Sequence, residues 1–204
     1  MADAAEQAEA FKAIIEAKIK ALADEFAEGK ISREQFHLLY ERYNARLAII
    51  IHAILSGNPD VAQAAQTGPP TITLRQATMG RVRGLIIYHN IAEKLLETLG
   101  EFDIVLEDIQ PLLDDLTLQM IGGVSLDTRL ERIDDTHWLL IVPGQFTTVI
   151  ALFAHEPAQM QVRQLERMQR DFERANIHLL QLETIQPDTL AVPFQAIIQG
   201  HMRR

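Results

Sequence analysis

Apolar residues recur every three or four positions through the first part of the chain. This spacing places them on one face of an α-helix and predicts a first helix over residues 4 to 28. The predicted apolar face comprises Phe11, Ile15, Ile19, Leu22 and Phe26. Gly29 follows this helix and can adopt the left-handed conformation in which many helices end.

A helix-start signal comes directly after that glycine. Ser32 can accept a hydrogen bond from the amide of Gln35, whose side chain can reach back to the cap, as in a capping box. Ile31 and Phe36 occupy the two positions of a hydrophobic staple. The apolar spacing continues through Phe36, Leu39, Tyr43, Leu47, Ile50 and Ile54. We therefore expect residues 1–56 to form an antiparallel helical hairpin.

Residues 57–71 interrupt this periodicity. They contain the tandem prolines Pro69 and Pro70, the glycines Gly57 and Gly68, and mainly small or polar residues between them. Such a composition is typical of a linker, so we place the domain boundary here.

The signals over residues 72 to 105 are mixed. Residues 81 to 88 have the composition of a strand, and Asn90 could cap a helix that runs to Leu99 and ends at Gly100. A continuous helix from about Leu74 is the competing interpretation, and the pattern leaves both open.

From Asp108 onward the pattern predicts a helix, three strands and a second helix. Pro111 lies in the first turn of the helix Asp108–Met120, where proline is tolerated. Turn residues at 134–135 and 143–144 separate the apolar runs. The predicted elements are Asp108–Met120, Arg129–Ile133, His137–Val142, Phe146–Ala154 and Ala158–Leu180.

This order predicts an α+β protein, with an N-terminal α-helical hairpin followed by a two-layer domain in which an antiparallel β-meander packs against helices. The two-layer domain would span residues 72–182. Residues 183–204 lack periodicity and form a C-terminal tail, whose apolar residues indicate packing on its own domain or on a partner.

The hairpin resembles the short helical-hairpin module called SHOCT. That module has a helix, then Gly-x-Ile-Ser/Thr-x-Glu-Glu-Phe, then a second helix. Gly29, Ile31, Ser32, Glu34 and Phe36 match its signature, whereas Gln35 replaces the second acid. The module is usually a terminal appendage, so the resemblance implies oligomerisation or docking.

The second domain resembles the roadblock family and its longin- and profilin-like relatives. In that fold a first hairpin and a helix precede a three-strand meander, and a long final helix lies across the sheet. Roadblock proteins are not enzymes; they dimerise by joining sheet edges and helices, and they act as scaffolds or regulators of small GTPases and motors. The resemblance implies that Asp108–Met120, Ala158–Leu180 and an edge strand would be contact surfaces.

Charge and composition narrow the possible partners. The formal net charge is −9, which weighs against nucleic acid or anionic lipid as the main partner, because phosphate binding depends on clustered Lys and Arg. There is no cysteine, so disulfides and thiolate chemistry are excluded. The N-terminus lacks the pattern of a signal peptide, and no apolar run is long enough to span a bilayer. We expect a cytoplasmic protein.

No catalytic, cofactor or metal site is predicted. The seven histidines have no ligand spacing, and His155-Glu156 lacks the second histidine of the zinc-protease motif, because position 159 is Gln. The segment from Gly80 to Gly84 is basic but lacks the Lys-Ser/Thr of a phosphate loop. We therefore expect no enzyme activity.

Two hypotheses are favoured, and an enzyme whose site the sequence does not reveal is a third. The first is a non-catalytic, self-associating adaptor or regulator with a protein partner, for which the resemblance suggests a small GTPase. The alternative is a small-molecule sensor of the GAF or PAS kind, which would enclose a pocket lined by Trp138, Leu140 and Phe153. The candidate interaction residues are Phe11, Ile15, Phe36, Tyr43, Leu47, Leu165 and Phe172.

Overall fold

The structure is a computed structural model that describes residues 2–56, 70–122, 126–182 and 184–195. Most of the predicted linker and the last part of the predicted tail therefore lie outside the described residues. The chain divides into two compact units, Met1–Met79 with Ala158–Met160, and Gly80–Pro157 with Gln161–Arg204. We call them the hairpin unit and the sheet unit.

Among its described residues, the hairpin unit contains the predicted helical pair and one further helix. The helices are α1 (Ala2–Ala27), α2 (Arg33–Ser56) and α3 (Thr71–Ala77). Gly29 between the first two has a φ of 75°, the left-handed conformation expected of it. Contrary to the boundary expected before residue 72, α3 belongs to this unit, because Leu74 packs against the cluster formed by Leu22, Ile31 and Leu39.

The start of α2 confirms half of the predicted capping box. The amide of Gln35 donates to Ser32 Oγ at 3.1 Å, as expected of an N-cap serine. The Gln35 side chain does not return to the cap; its Nε2 donates to the carbonyl of Arg75 at 2.7 Å. This glutamine therefore connects α2 to α3, and Arg75 also pairs with Glu25 of α1.

The described part of the sheet unit has five strands, a helix between its second and third strands, and a long helix after the fifth strand. They are β1 (Arg81–His89), β2 (Lys94–Gly100), α4 (Leu106–Ile121), β3 (Arg129–Arg132), β4 (His137–Pro143), β5 (Thr147–Ala154) and α5 (Gln159–Leu180). All strand pairs are antiparallel, and the order is β2-β1-β5-β4-β3. The predicted α+β class and the meander of β3, β4 and β5 are confirmed.

Residues 90 to 99 correct one expectation. They form the turn and the strand β2, so neither the predicted helix from Asn90 to Leu99 nor a continuous helix from Leu74 is present. Asn90 fixes the end of β1 instead: its amide donates to Phe146 O at 2.9 Å, and its Oδ1 accepts from Thr148 Oγ1 at 2.8 Å. Pairing with β1 thus overrides the helix-like spacing of this segment. Helix α4 also begins earlier than predicted, so Pro111 lies inside it.

Both faces of the sheet are covered. On one face, Leu140, Val149 and Phe153 form a core with residues of α5 that include Leu165 and Phe172. On the other face, the alternate residues of the same strands pack against α4, through Ile109 and Leu113. The expected two-layer arrangement is therefore extended by a third layer, which explains why β4 and β5 are nearly continuous apolar runs.

The described part of the predicted tail completes the core beside α5. Ile185, Leu190 and Phe194 are buried there, and the rings of Phe172 and Phe194 lie 5.7 Å apart. Asn176 fixes this segment, because it donates to the carbonyl of Ala191 at 2.9 Å and accepts from the Ala191 amide at 2.8 Å. Residues 184–195 thus pack on their own domain rather than on a partner.

Candidate interaction surfaces

The structure places four of the predicted interaction residues of the hairpin in the seam, that is, the contact between α1 and α2, and one nearer the surface. Ile15 is buried against Ile50, and Phe11, Tyr43 and Leu47 are partly buried around them. These four predicted residues therefore hold α1 and α2 together. Only Phe36 belongs to a more exposed group.

Phe36 lies at the centre of an aromatic stack at the closed end of the hairpin. Its ring stacks on Phe26 at 4.7 Å and on Tyr40 at 5.4 Å. Phe26 is 40% exposed and Tyr40 is 39% exposed, so the stack presents aromatic surface to solvent. Tyr40 was not among the predicted site residues, because it falls outside the apolar stripe that the spacing defines.

Leu165 and Phe172 are not surface residues. They are 1% and 0% exposed, beneath α5 in the core of the sheet unit. Their apolar stripe is fully used by the sheet, so we remove both from the candidate contact surface. Ile15, at 1% exposed, is removed for the same reason.

The sheet has two edge strands, β2 and β3. An edge strand offers unpaired backbone groups to another strand unless it is short, charged or covered. The register between β1 and β2 shifts between Ile87 and Tyr88, because Leu96 of β2 has no partner in this ladder. Edge β3 is regular and paired with β4 over its whole length.

The backbone of β3 presents Leu130 to the open edge. Across the hairpin the Ile133 amide donates to His137 O at 2.9 Å. Inward hydrogen bonds alternate with outward groups along an antiparallel strand, so Leu130 and Arg132 direct their backbone groups away from β4. Leu130 is 36% exposed and Ile133 is 49% exposed, so this edge also carries apolar side chains.

Charged side chains flank Leu130 on the opposite face of the strand. Arg129 pairs with Ile141 and Glu131 with Leu139 in the ladder, so both side chains lie on the α4 face. Arg129 donates to Gln119 Oε1 at 2.8 Å, which fixes its guanidinium against α4. Leu118 of the same helix is 69% exposed.

The turn after β3 is held by Asp134. The Thr136 amide donates to its carboxylate at 2.7 Å, and the His137 side chain and amide bond to it at 2.7 and 2.8 Å. These contacts hold the pKa of Asp134 well below the usual carboxyl range. The carboxylate therefore stays charged in acid in which an ordinary aspartate is protonated, and it continues to hold the turn that follows β3.

A second polar network fixes the β4–β5 turn to α5. Glu173 Oε1 accepts from the amides of Phe146 and Thr147, both at 2.8 Å, and its Oε2 accepts from the Gln145 amide at 3.0 Å. Gln169 donates to the carbonyl of Thr147 at 2.8 Å. A side chain at Gly144 would overlap the ends of the Gln169 and Glu173 side chains, so glycine there leaves room for this network.

The buried histidine of the sheet unit has a structural role. His89 Nδ1 accepts from the Ala92 amide at 2.9 Å, so Nε2 carries the proton and donates to Leu180 O at 3.1 Å. Within the described ranges, no three His, Asp or Glu side chains are grouped so that they could hold a metal ion. In the same ranges, no helix is both long and apolar enough to cross a membrane.

Trp138 of β4 is half-buried on the face of the sheet that α5 covers. It packs against the core that contains the buried residues Leu140 and Phe153. The Arg132 guanidinium lies 5.9 Å from the centre of its ring, a cation–π contact. Its indole Nε1 is buried and has no hydrogen-bond acceptor among the described residues.

Comparisons with protein-family models, with curated proteins and with solved structures find no match to this chain.

Proposed function

We propose that the chain is a non-catalytic adaptor that self-associates through β3 and presents its remaining surface to a protein partner. The observation that carries this proposal is the self-complementarity of the β3 edge. If two copies pair antiparallel about Leu130, its outward amide and carbonyl meet those of the second Leu130. In the same register, Arg129 of each copy lies opposite Glu131 of the other. Both pairs lie on one face of the extended sheet.

At the other edge, a register centred on Glu97 of β2 lacks this complementarity. Pairing of two β2 strands about Glu97 would set like charges opposite each other, which is destabilising. The connectivity also supports the roadblock resemblance, because a hairpin and a helix precede the meander and a long helix follows it. That resemblance implies a small GTPase as the kind of partner.

The test is a charge exchange at the β3 edge. Glu131→Arg sets arginine against arginine in the proposed register, and Arg129→Glu sets glutamate against glutamate, so each variant alone should be monomeric. A mixture of the two restores both pairs and should form a heterodimer, detected by analytical ultracentrifugation at micromolar concentration. Glu97→Arg on β2 is the matched control and should leave the wild-type assembly intact.

Several outcomes would contradict the proposal. A strictly monomeric wild-type protein at micromolar concentration removes self-association. An oligomer that Glu131→Arg leaves unchanged removes β3 as the contact. Circular dichroism of each variant shows that loss of assembly is not loss of fold.

A small-molecule sensor is the second candidate, and the indole of Trp138 favours it. A buried N–H without an acceptor costs about 1–3 kcal/mol, which a ligand with an acceptor group would recover. Against it, Leu140 and Phe153, which would line the pocket, are buried members of the core. Trp138 is the single tryptophan, so its emission reports directly on this position. Screening nucleotides and small metabolites for a saturable emission change tests the sensor function; no change across the screen removes it.

A further inference from the structure

The solvent side of α5 carries a row of arginines that form no ion pair with the described residues of the sheet unit. Arg163, Arg167 and Arg170 are separated by four and three positions and are all exposed. This spacing stacks them on one side of the helix, opposite the buried stripe of Leu165 and Phe172. With a rise of 1.5 Å per residue, the row is roughly 10 Å long. We call these three residues the arginine ridge.

The acidic residues of the same helix are already engaged. Glu173 accepts from three amides of the β4–β5 turn, and Glu166 accepts from Thr128 Oγ1 at 2.7 Å. Asp171 lies 3.6 Å from Arg174 in an ion pair. Within the part of the chain that the structure describes, the ridge arginines form no ion pair. The helix therefore carries residues of both charges, but the surface along the arginine ridge is basic.

We infer that the arginine ridge is a docking site for an acidic segment of another polypeptide, with carboxylates spaced by one helical turn. Guanidinium groups match carboxylates through paired, parallel hydrogen bonds, and arginine is weakly enough hydrated to be favoured in interfacial ion pairs. A partner helix with acids three or four positions apart repeats the spacing of the ridge.

The surroundings favour carboxylates over a polyphosphate or an anionic membrane. A nucleic-acid site neutralises many phosphates along a wide basic surface, whereas this ridge is one residue wide. Asp171 and Glu166 flank it, and the chain carries a net charge of −9, so an extended polyanion meets repulsion beyond the ridge. Separate carboxylates on a peptide can face the ridge and avoid its flanks.

This inference rests on the proposed adaptor function only in that it names the chemistry of the partner. The ridge lies on α5 and the proposed self-association uses β3. The two proposals can therefore fail separately. The Glu131→Arg variant should bind the acidic probe as tightly as the wild type even when it no longer self-associates.

The test uses the full chain and a fluorescein-labelled, alanine-based helical peptide with glutamates on one face at one-turn spacing. Fluorescence anisotropy at low ionic strength should show saturable binding that weakens as salt is added, because exposed ion pairs are screened. The combined change Arg163→Gln, Arg167→Gln and Arg170→Gln should weaken binding roughly tenfold. The matched control alters net charge equally through the exposed residues Lys18, Lys20 and Lys94, each replaced by Gln, and should change binding less than about twofold.

Each remaining outcome overturns the inference. Absence of binding, or equal binding by the ridge variant, shows that the ridge is not a docking site. Equal binding of a peptide with the same composition but scattered glutamates would show that the one-turn spacing of the carboxylates is not recognised. Tighter binding of a single-stranded oligothymidine or of phosphatidylserine vesicles replaces the polypeptide with a polyphosphate or a membrane. Unchanged Trp138 emission and circular dichroism show that the variants remain folded.

Discussion

The sheet unit and the hairpin unit contain similar apolar residues but bury them differently. In the sheet unit, Leu85, Leu140, Val149 and Phe172 are all 0% exposed, because two helices and a terminal segment enclose the sheet. In the hairpin unit the buried residues follow one seam, while Leu55 of α2 remains 82% exposed. A single seam cannot cover both sides of a helix. The sheet unit therefore buries apolar side chains on both faces of its sheet, whereas the hairpin unit leaves apolar side chains such as Leu55 exposed.

Phe172→Ala should produce the largest effect. The side chain is fully buried between the sheet and Phe194, so its removal leaves a cavity and should lower the free energy of unfolding by about 3–5 kcal/mol. Urea denaturation followed by Trp138 emission measures it. The control Arg170→Ala, on the exposed side of the same helix, should stay within about 0.5 kcal/mol. A loss below about 1 kcal/mol for Phe172→Ala would show that the core beneath α5 is not tightly packed.

Ile50→Ala should produce a smaller loss, about 2–3 kcal/mol, at the low end for a buried isoleucine. Few buried residues surround Ile50 between α1 and α2, so the neighbouring side chains can partly fill the space left by the missing methyl groups. Hydrogen exchange of the amides in α1 and α2 measures it, because the two units need not unfold together. Ile51→Ala, one position along and 39% exposed, is the control and should cost under about 1 kcal/mol. Equal losses of unfolding free energy for Ile50→Ala and Phe172→Ala would show that the two units bury their cores equally well.

Glu173→Gln tests the polar network that fixes the β4–β5 turn. The variant replaces one acceptor oxygen with a donor group facing a backbone amide, so stability should fall by about 1–3 kcal/mol. The urea midpoint reports the change. Glu166→Gln, which loses only a charge-assisted bond from one hydroxyl, should cost about 1 kcal/mol or less. If both variants cost the same, the three amide contacts add nothing to the turn.

Ser32→Ala should have the smallest effect, about 1 kcal/mol, because it removes the N-cap of α2 alone. Helix content by circular dichroism and exchange at the Gln35 amide measure it. Ser32→Asp keeps an acceptor at the cap and should restore most of the loss. Failure of aspartate to restore the helix would mean that Ser32 acts through its burial rather than through its hydrogen bond.

Sequence reasoning succeeded where local signals determine the structure. Ser32 and Gly29 mark the ends of helices by their own backbone chemistry, and both are found in those roles. The meander from Arg129 to Ala154 follows from apolar runs bounded by turn residues. The long helix α5 follows from a strong period with buried residues at Val162, Leu165 and Phe172.

The misses come from non-local contacts. Leu95, Leu96 and Leu99 have helical spacing, yet pairing with β1 makes this segment a strand. The apolar residues of the tail indicate packing on the domain or on a partner, and only the fold shows that Phe194 enters the core beside Phe172. Glu173 and Glu166 read as solvated charges in a mixed helix, and only the fold shows that both are engaged. The sequence alone does not distinguish these engaged acids from the α5 residues that have no ion-pair partner among the described residues.

The pairing of β1 with β5 has a consequence for how the protein is made. These two strands are neighbours in the middle of the sheet, although β2, α4, β3 and β4 lie between them in the chain. During synthesis β1 leaves the ribosome long before its central partner exists. Until β5 follows, the hairpin of β1 and β2 exposes an uncovered apolar strand, and such strands are prone to aggregate. Expression yield of this protein should therefore depend on chaperones that protect extended apolar segments.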